Sequence, residues 1–332
     1  MRLSHIEIEN FKGISTKQSI DLAPITLLFG PNSAGKSTIL QALQYMREIL
    51  ERKNLDPDQT IAGGLTDLGG FAALVHDHDL TRPICIKIRI DMKGDQGNER
   101  LPLNSGESLT DPNFQNLGIR YLVGENTELK VDAIVQEIGL SLEVRWSDLI
   151  NAPYVAKVAV EMDRERIAEI HSPSQEGRAQ LTSFNFAHPC LRKIPEQEDD
   201  IHQEIFENLQ VTNNFLYNEI AADPLSSPLG EEIWELSREM SAESSSNSSD
   251  EDNGEFRIGV ETELGALPDP AKPLTLDLID LDLKLLAWSE ADQEGKRRRG
   301  LSSLIDELVL GPVRVVSDYL RSMTYIGPLR EI

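Results

Sequence analysis

A run of nine residues, Gly30–Thr38, has the residue types and spacing of a phosphate-binding loop. It reads GPNSAGKST and fills the pattern G-x-x-x-x-G-K-[ST] without a gap. The glycines permit backbone conformations that turn several N–H groups toward phosphate oxygens. The sequence therefore predicts a site for the polyphosphate of a nucleoside triphosphate. Its candidate residues are Gly30, Pro31, Asn32, Ser33, Ala34, Gly35, Lys36, Ser37 and Thr38.

The side chains at the end of this run suit different parts of a triphosphate. Lys36 is expected to reach the β- and γ-phosphates, and the Ser37 hydroxyl to ligate a Mg²⁺ ion that bridges them. Thr38 should meet the α-phosphate, whereas Asn32 either approaches the γ-phosphate or serves only to form the turn. The predicted cofactors are therefore ATP and Mg²⁺, with Ser37 as the metal ligand. GTP stays open, because no residue of the loop reads the base.

The segments on either side of the loop predict how it is held. Ile25–Phe29 is apolar apart from one threonine and is expected to form a short buried strand. After the loop, apolar residues recur at helical spacing and predict a helix over residues 36–53. The N–H groups and dipole at the start of that helix favour an anion. Strand, glycine loop and helix in this order bind nucleotide triphosphates.

The remaining patterns predict an α/β protein. Apolar and polar residues alternate along Ile84–Ile90, which indicates a half-buried strand, and residues 119–186 contain strand candidates that suit an antiparallel meander. Residues 241–255 are acidic, serine-rich and too poor in apolar residues to order themselves. Helical periodicity predicts three later helices, at residues 199–220, 229–240 and 299–323.

Changes in composition divide the chain into four predicted parts. Residues 1–92 form the nucleotide-binding lobe, and residues 93–186 a β-rich part of it or an insertion. Residues 187–298 are a helical, low-complexity insertion that includes the disordered residues 241–255. Residues 299–332 supply a helix and a strand that return to the lobe.

Charge and hydrophobicity limit the partners to be expected. The net charge is −24 over 332 residues, which disfavours DNA binding through exchange of counterions. The basic run Lys296–Arg299 is either a local basic path for nucleic acid or a solvated face. No apolar run approaches the ~20 residues of a membrane span, and the charged N-terminus does not read as a signal peptide. Cys85 and Cys190 have no metal-binding spacing, so free thiols in a reducing cytoplasm are expected.

Several segments resemble a known family. Ile6–Gly13, Pro24–Phe29 and the glycine loop resemble the RecF/SMC-type AAA ATPases with ABC-like heads. Asp67–Phe71, followed by Leu74–His76, and the segment Tyr325–Arg330 are similar to prokaryotic AAA ATPases of the OLD and Septu type, which act in phage defence. The resemblance covers the first ninety residues and the last thirty well, and the middle loosely.

This resemblance implies an ABC-like head lobe of the P-loop NTPase class, with a mixed sheet, a β-meander and a helical insertion. In such families a C-terminal lobe adds a signature motif, an apolar strand ending in Asp-Glu and a switch histidine. Leu274–Asp280 comes nearest to that strand but lacks the Asp-Glu pair. The chain is therefore expected to be the N-terminal portion of a longer or split ATPase.

The expected partners follow from the same resemblance. ATP is the ligand, and either a homodimer through the head or a partner chain that supplies the C-terminal lobe completes the site. Hydrolysis in the completed dimer would regulate an effector, such as a nuclease, in phage defence or DNA maintenance. The alternative is a non-hydrolysing nucleotide-binding interaction protein. A small-molecule kinase would need an Arg-rich lid, which the sequence does not show.

Other residues are weaker candidates. The run His76–Asp79 places His76 and His78 on one side of an extended segment, which suggests a metal site or only a polar turn. Asp67 occupies a place that faces the γ-phosphate in the resembled heads. Phe11 and Lys12 either lie near the adenine and ribose, as in those heads, or simply end a strand. No Ser/His/Asp or Cys/His arrangement stands out.

Overall fold

Strands make up most of the regular structure. The computed structural model describes residues 1–30, 35–57, 68–94, 97–98, 120–122, 128–131, 135–174, 178–185, 188–194, 258–262, 264–274 and 293–324. The helices are α1 (Lys36–Arg52), α2 (Gly70–Leu74) and α3 (Gln293–Ser322), with a 3₁₀ turn at His76–His78. The strands are β1 (Arg2–Glu9), β2 (Gln18–Asp21), β3 (Ile84–Asp91), β4 (Lys93–Gly94), β5 (Gly97–Asn98), β6 (Arg120–Leu122), β7 (Glu128–Val131), β8 (Glu137–Ser147), β9 (Ala152–Met162), β10 (Glu165–His171), β11 (Ala179–Phe184), β12 (Leu191–Ile194) and β13 (Ile258–Val260).

Eight of these strands form one sheet in the order β13-β11-β10-β9-β8-β3-β1-β2. All neighbouring strands in it run antiparallel. The hairpin of β8 and β9 lies in the middle, and β3 connects it to β1, with Ile84 opposite Val144 and Ile86 opposite Ile8. The other described strands form two small sheets, β12-β7-β6 and β4-β5.

The residue pattern of β3 shows how the sheet acquires a buried face. Its four isoleucines are buried, whereas the residues between them are half-buried. Because successive side chains point to opposite faces of a strand, the isoleucines all join the core with Ile6 and Ile8 of β1. The opposite face carries charged pairs, such as Lys87 Nζ and Glu161 Oε1 at 2.5 Å. The alternation in the sequence thus decides which face packs against other elements.

Helix α3 covers part of this sheet and also supports α1. It contacts β8, β9, β10 and α1, and its leucines and valines belong to the same core as the isoleucines of β3. The hydroxyl of Tyr319 accepts a hydrogen bond from the amide of Leu3 at 2.9 Å, which ties α3 to β1. Near the end of α3, Arg47 of α1 donates to the carbonyl of Met323 at 3.2 Å. The helix after the glycine loop is therefore fixed to the core through α3.

The segment before the glycine loop differs from its prediction. Ile25–Phe29 is neither buried nor a strand, and the exposed fractions of Ile25, Leu27 and Phe29 are 81%, 71% and 85%. The predicted mixed sheet is also wrong for the described strands, since their pairings are all antiparallel. Ile25–Phe29 pairs with no strand in the described ranges, so no sheet neighbour covers it.

Most other predicted elements within the described ranges are confirmed. The helix predicted at residues 36–53 is α1, the half-buried strand is β3, and the predicted meander contains β6 to β11. The helix predicted at residues 299–323 is α3, which begins earlier, at Gln293. The predicted helices at residues 199–220 and 229–240, the acidic stretch 241–255 and the segment Tyr325–Arg330 lie outside the described residues. Asp67 and most of Leu274–Asp280 also lie outside them.

Candidate functional site

The start of α1 has the backbone geometry that an anion site requires. Gly35 precedes the helix with φ 82° and ψ 5°, which is a left-handed conformation, and no side chain caps the first turn. The first turn of α1 contains no acidic residue. Because the first N–H groups of a helix lack intrahelical acceptors and carry the positive end of the dipole, this terminus is suited to a phosphate group.

Glycine is needed at position 35 because of its backbone angle and not because of limited space. A Cβ atom added there would meet no heavy atom within 4 Å. For an L-residue with a side chain, however, the left-handed region costs about 1–2 kcal/mol. The sequence pattern thus places its second glycine at the position where the chain turns into the helix.

The loop lysine connects the two ends of the loop. Lys36 Nζ donates a hydrogen bond to the carbonyl oxygen of Gly30 at 2.7 Å. Ser37 is exposed, so its hydroxyl is open to a metal ion, and Thr38 is buried at the same end of the helix. Pro31, Asn32, Ser33 and Ala34 lie outside the described residues. The structure therefore brings Gly30, Gly35, Lys36 and Ser37 together at one end of α1.

Core contacts fix the orientation of α1. Tyr45 is fully buried, its ring stacks on Phe11 with centroids 6.1 Å apart, and its hydroxyl donates to the carbonyl of Leu55 at 2.9 Å. Burial raises the pKa of Tyr45 well above its usual value. The sequence marked Phe11 as a candidate near the adenine, but its ring is fully buried and is not available for stacking on a base.

The turn that contains Lys12 is held in an uncommon conformation. Asn10 and Lys12 have positive φ angles of 53° and 48°. The Lys12 amide donates to the carbonyl of Leu74 at 2.6 Å, and the Lys12 carbonyl accepts a hydrogen bond from His76 Nδ1 at 2.6 Å. These bonds fasten the turn to the segment after α2 and offset the backbone strain. The place predicted for Lys12 near the nucleotide stays a prediction.

The His76–Asp79 run does not form the metal site suggested by its sequence. It is a 3₁₀ turn and not an extended segment, with Asp77 and His78 at positive φ. Both rings use Nδ1 as a donor: His76 bonds to the Lys12 carbonyl, and His78 bonds to the Ala72 carbonyl at 2.7 Å. Across the described ranges, no group of three or more His, Cys, Asp or Glu residues is arranged to hold a metal ion.

A Ser-His-Asp arrangement that the sequence did not predict lies between β1 and β2. His5 Nδ1 lies 2.6 Å from Asp21 Oδ1, and its Nε2 lies 3.3 Å from Ser19 Oγ. Glu7 Oε1 is also 3.2 Å from Nε2 and competes with the serine for that nitrogen. Register explains the cluster, because His5 pairs with Asp21 and Glu7 pairs with Ser19. We interpret it as a polar cross-strand cluster and not as a nucleophilic site.

The two cysteines have different surroundings. Cys85 lies on β3, where burial and the nearby Glu143 and Glu9 raise its pKa to about 12. Its sulfur is therefore a protonated thiol at neutral pH and a poor nucleophile. Cys190 is buried beside His188, and burial lowers the pKa of that imidazole. The sequence did not mark His188 and Cys190 as a pair, although the spacing His-x-Cys can be read from it.

Comparison with models of known protein families gives a match. The model of the AAA ATPase domain family matches residues 1–214 of the 332-residue chain, a range that includes the glycine loop, α1 and the central strands. No curated protein matches the chain. Within the described ranges, no helix is long and apolar enough to cross a membrane. The match supports an ATP-binding ATPase and an α/β NTPase fold, and it covers more than half of the sequence. The chain therefore belongs to the AAA ATPase domain family.

Proposed function

We propose that the chain binds ATP and Mg²⁺ through Gly30–Thr38 and forms the phosphate-loop part of an ATPase head. One observation supports this most directly: α1 begins without a capping or acidic side chain, directly after a left-handed glycine. Lys36 adds a cation at the same point. A helix start of this kind, within a sequence that fills the phosphate-loop pattern, is suited to bind a polyphosphate.

Gly35, Lys36 and Ser37 each have a role in this proposal. The N–H groups of Gly35 and the first turn of α1 bind phosphate oxygens. Lys36 gives up its hydrogen bond to the carbonyl of Gly30 and donates to the β- and γ-phosphates instead. Ser37 ligates Mg²⁺. Bound at Ser37, Mg²⁺ would supply positive charge that offsets the negative charge of the phosphates. Asn32, Ser33 and Ala34 at the crest of the loop are proposed to contribute backbone N–H groups, which Pro31 lacks.

We further propose that a second lobe completes the head by burying Ile25–Phe29. Apolar residues follow one another in this segment instead of alternating with polar ones, which is typical of a strand buried on both faces in a parallel sheet. Within the described ranges it pairs with no strand, and three of its side chains are more than 70% exposed. An exposed apolar run of this kind marks a surface for another structural element.

The second lobe is also the proposed source of the catalytic carboxylate and the signature motif. In the resembled heads these groups act across a dimer, so the functional unit is proposed to contain two heads around ATP. A role in phage defence through a nuclease effector, or in DNA maintenance, follows from the resemblance. The net charge of −24 favours a protein partner over direct contact with DNA.

Titration of the purified chain with a fluorescent ATP analogue in Mg²⁺ tests nucleotide binding. Lys36→Ala is expected to weaken binding at least tenfold, because the polyphosphate loses its cationic partner. Lys53→Ala is the matched control: it removes a lysine at the other end of α1, where Lys53 pairs with Asp269 at 2.9 Å. Equal losses in the two variants, or no binding by the parent chain, would refute the loop assignment.

A non-hydrolysing nucleotide-binding interaction protein is the second candidate, and the exposed apolar segment beside the loop favours it. Turnover by the purified chain tests whether the chain contains its own catalytic group. If the proposed second lobe supplies the catalytic carboxylate, the chain alone should bind ATP but hydrolyse it at close to the background rate, since loss of a catalytic acid–base group commonly costs a hundredfold or more. Turnover of about one per second that Lys36→Ala abolishes would show that the chain contains its own catalytic group.

A further inference from the structure

Three side chains with soft donor atoms meet in the core, away from the glycine loop. Cys190 and His188 belong to the turn before β12, and Met162 ends β9. The Cys190 Sγ atom lies 3.0 Å from His188 Nδ1 and 4.0 Å from Met162 Sδ. Met162 is fully buried, and the exposed fractions of His188 and Cys190 are only 2% and 6%. A thiol, a thioether and an imidazole thus lie together in the buried core.

The hydrogen bonds around His188 fix which ring nitrogen faces the sulfur atoms. Its Nε2 donates to the carbonyl oxygen of Met162 at 3.0 Å, so the ring hydrogen is on that nitrogen. Its Nδ1 accepts from the amide of Cys190 at 3.1 Å and faces Sγ. Histidines that ligate metals commonly donate their other N–H group to a backbone carbonyl, which orients the ring in the same way.

The geometry of the two sulfur atoms suits a shared metal ion. Two sulfur atoms that bind one metal at about 2.3 Å, with an angle near 120° between the bonds, lie about 4.0 Å apart. The Sγ and Sδ atoms are separated by 4.0 Å. The 3.0 Å between Sγ and His188 Nδ1 is a hydrogen-bond distance, and it must lengthen to about 3.8 Å when both atoms bind one metal at the same angle. Thiolate and thioether ligands select Cu(I), imidazole also suits copper, and Mg²⁺ and Ca²⁺ prefer oxygen ligands. A structural zinc site would require four nitrogen, oxygen or thiolate ligands.

We propose that Cys190, Met162 and His188 form a binding site for one Cu(I) ion. On binding, the Cys190 thiol loses its proton to solvent and the Sγ–Cu bond forms, while the metal replaces the Cys190 amide as the partner of His188 Nδ1. No electron is transferred, since copper enters and stays as Cu(I). The ion would fasten the turn before β12 to the end of β9 and would stabilise the folded state by mass action.

The site is tested by anaerobic Cu(I) titration of the full chain against a chromogenic Cu(I) chelator. The parent protein carries Cys85→Ser, so that Cys190 is its one thiol. One Cu(I) per chain is expected to bind. Met162→Leu, which nearly conserves the side-chain volume, is expected to weaken binding at least tenfold. Met92→Leu is the matched control, because Met92 is also a fully buried methionine and should leave the affinity unchanged.

Two further measurements separate a three-donor site from a single reactive thiol. Cys190→Ser should abolish binding, and X-ray absorption of the loaded parent protein should show two sulfur ligands and one nitrogen ligand. Equal affinity in Met162→Leu and Met92→Leu would overturn the proposal in favour of a lone thiol. Binding that survives Cys190→Ser, or no binding at all, would overturn it as well. If circular dichroism shows that Cys190→Ser does not fold, the comparison of Met162→Leu with Met92→Leu still tests the proposed site.

Discussion

The ammonium group of Lys36 lies 2.7 Å from the carbonyl oxygen of Gly30 and donates a hydrogen bond to it. These two residues flank the glycine loop, so the first side chain of α1 closes the loop on itself. A triphosphate that binds in the loop must replace this carbonyl as the acceptor. Because phosphate oxygens carry negative charge, the new hydrogen bond is charge-assisted on both sides and stronger than the one it replaces.

The left-handed glycine at the start of α1 leads to the first prediction. Gly35→Ala should lower the free energy of unfolding by about 1–2 kcal/mol, since its positive φ angle opposes a Cβ atom. It should also weaken ATP binding, because the chain passes from the loop into α1 at residue 35, and strain there would displace the N–H groups of the loop. Gly13→Ala is the control: Gly13 likewise has open space around it but no left-handed backbone. Urea unfolding of both variants measures the difference, and equal effects would contradict the prediction.

The second prediction concerns the metal ligand. Ser37→Ala should reduce the affinity for ATP about tenfold, or ~1.4 kcal/mol, when Mg²⁺ is present. The affinity measured in a chelator should hardly change, since the Ser37 hydroxyl is exposed and is proposed to contact the metal and not the phosphates. Calorimetric titrations of the parent and variant with and without Mg²⁺ provide the comparison. An equal loss under both conditions would assign the hydroxyl to a phosphate.

The third prediction compares Leu27, which precedes the glycine loop in the sequence, with Leu43, which follows it. Leu27→Ala should change the free energy of unfolding of the chain by less than about 0.5 kcal/mol, because Leu27 is 71% exposed. Leu43→Ala should cost about 2–5 kcal/mol, because Leu43 of α1 is buried in the core. Denaturant unfolding of both variants tests this. A comparable cost at Leu27 would show that the chain itself buries Ile25–Phe29, and the proposed second lobe would lose its main support.

The fourth prediction concerns the dependence of stability on pH. A hydrogen bond from Lys53 and another from the Ala271 amide lower the pKa of Asp269 from 3.8 to about 2. A carboxylate whose pKa is lowered on folding stabilises the protein above its unfolded pKa and loses that contribution as the pH falls. Asp269→Asn should therefore reduce stability above about pH 4, by less than ~1 kcal/mol for this partly exposed pair.

The difference between Asp269→Asn and the parent should disappear as the pH falls through about 2. Asp318→Asn serves as the control, because Asp318 lies on the exposed surface of α3 beside Arg321. Thermal unfolding from pH 2 to pH 7 measures both variants. A difference that stays constant over this range would show that the side chain of Asp269 acts through packing and not through its charge.

Local patterns in the sequence predicted much of the regular structure. The isoleucines of β3 are buried because strand geometry alone places alternate residues on one face. Helix α1 forms where its apolar residues recur at helical spacing, and it begins directly after the glycine that the phosphate-loop pattern places at residue 35. Such features depend mainly on neighbours close in sequence, so the sequence by itself determined the helix after the loop and the strands of the meander.

Only the tertiary structure decided which segments find partners. Ile25–Phe29 has the composition of a buried strand but is exposed, because burial requires a neighbouring strand from elsewhere in the fold. His76 and His78 share a short run, yet each donates to a different backbone carbonyl. Met162 meets Cys190 through the packing of β9 against a later turn. Contacts of this kind depend on how the sheet and helices pack in three dimensions. The local periodicity of the sequence therefore does not predict them.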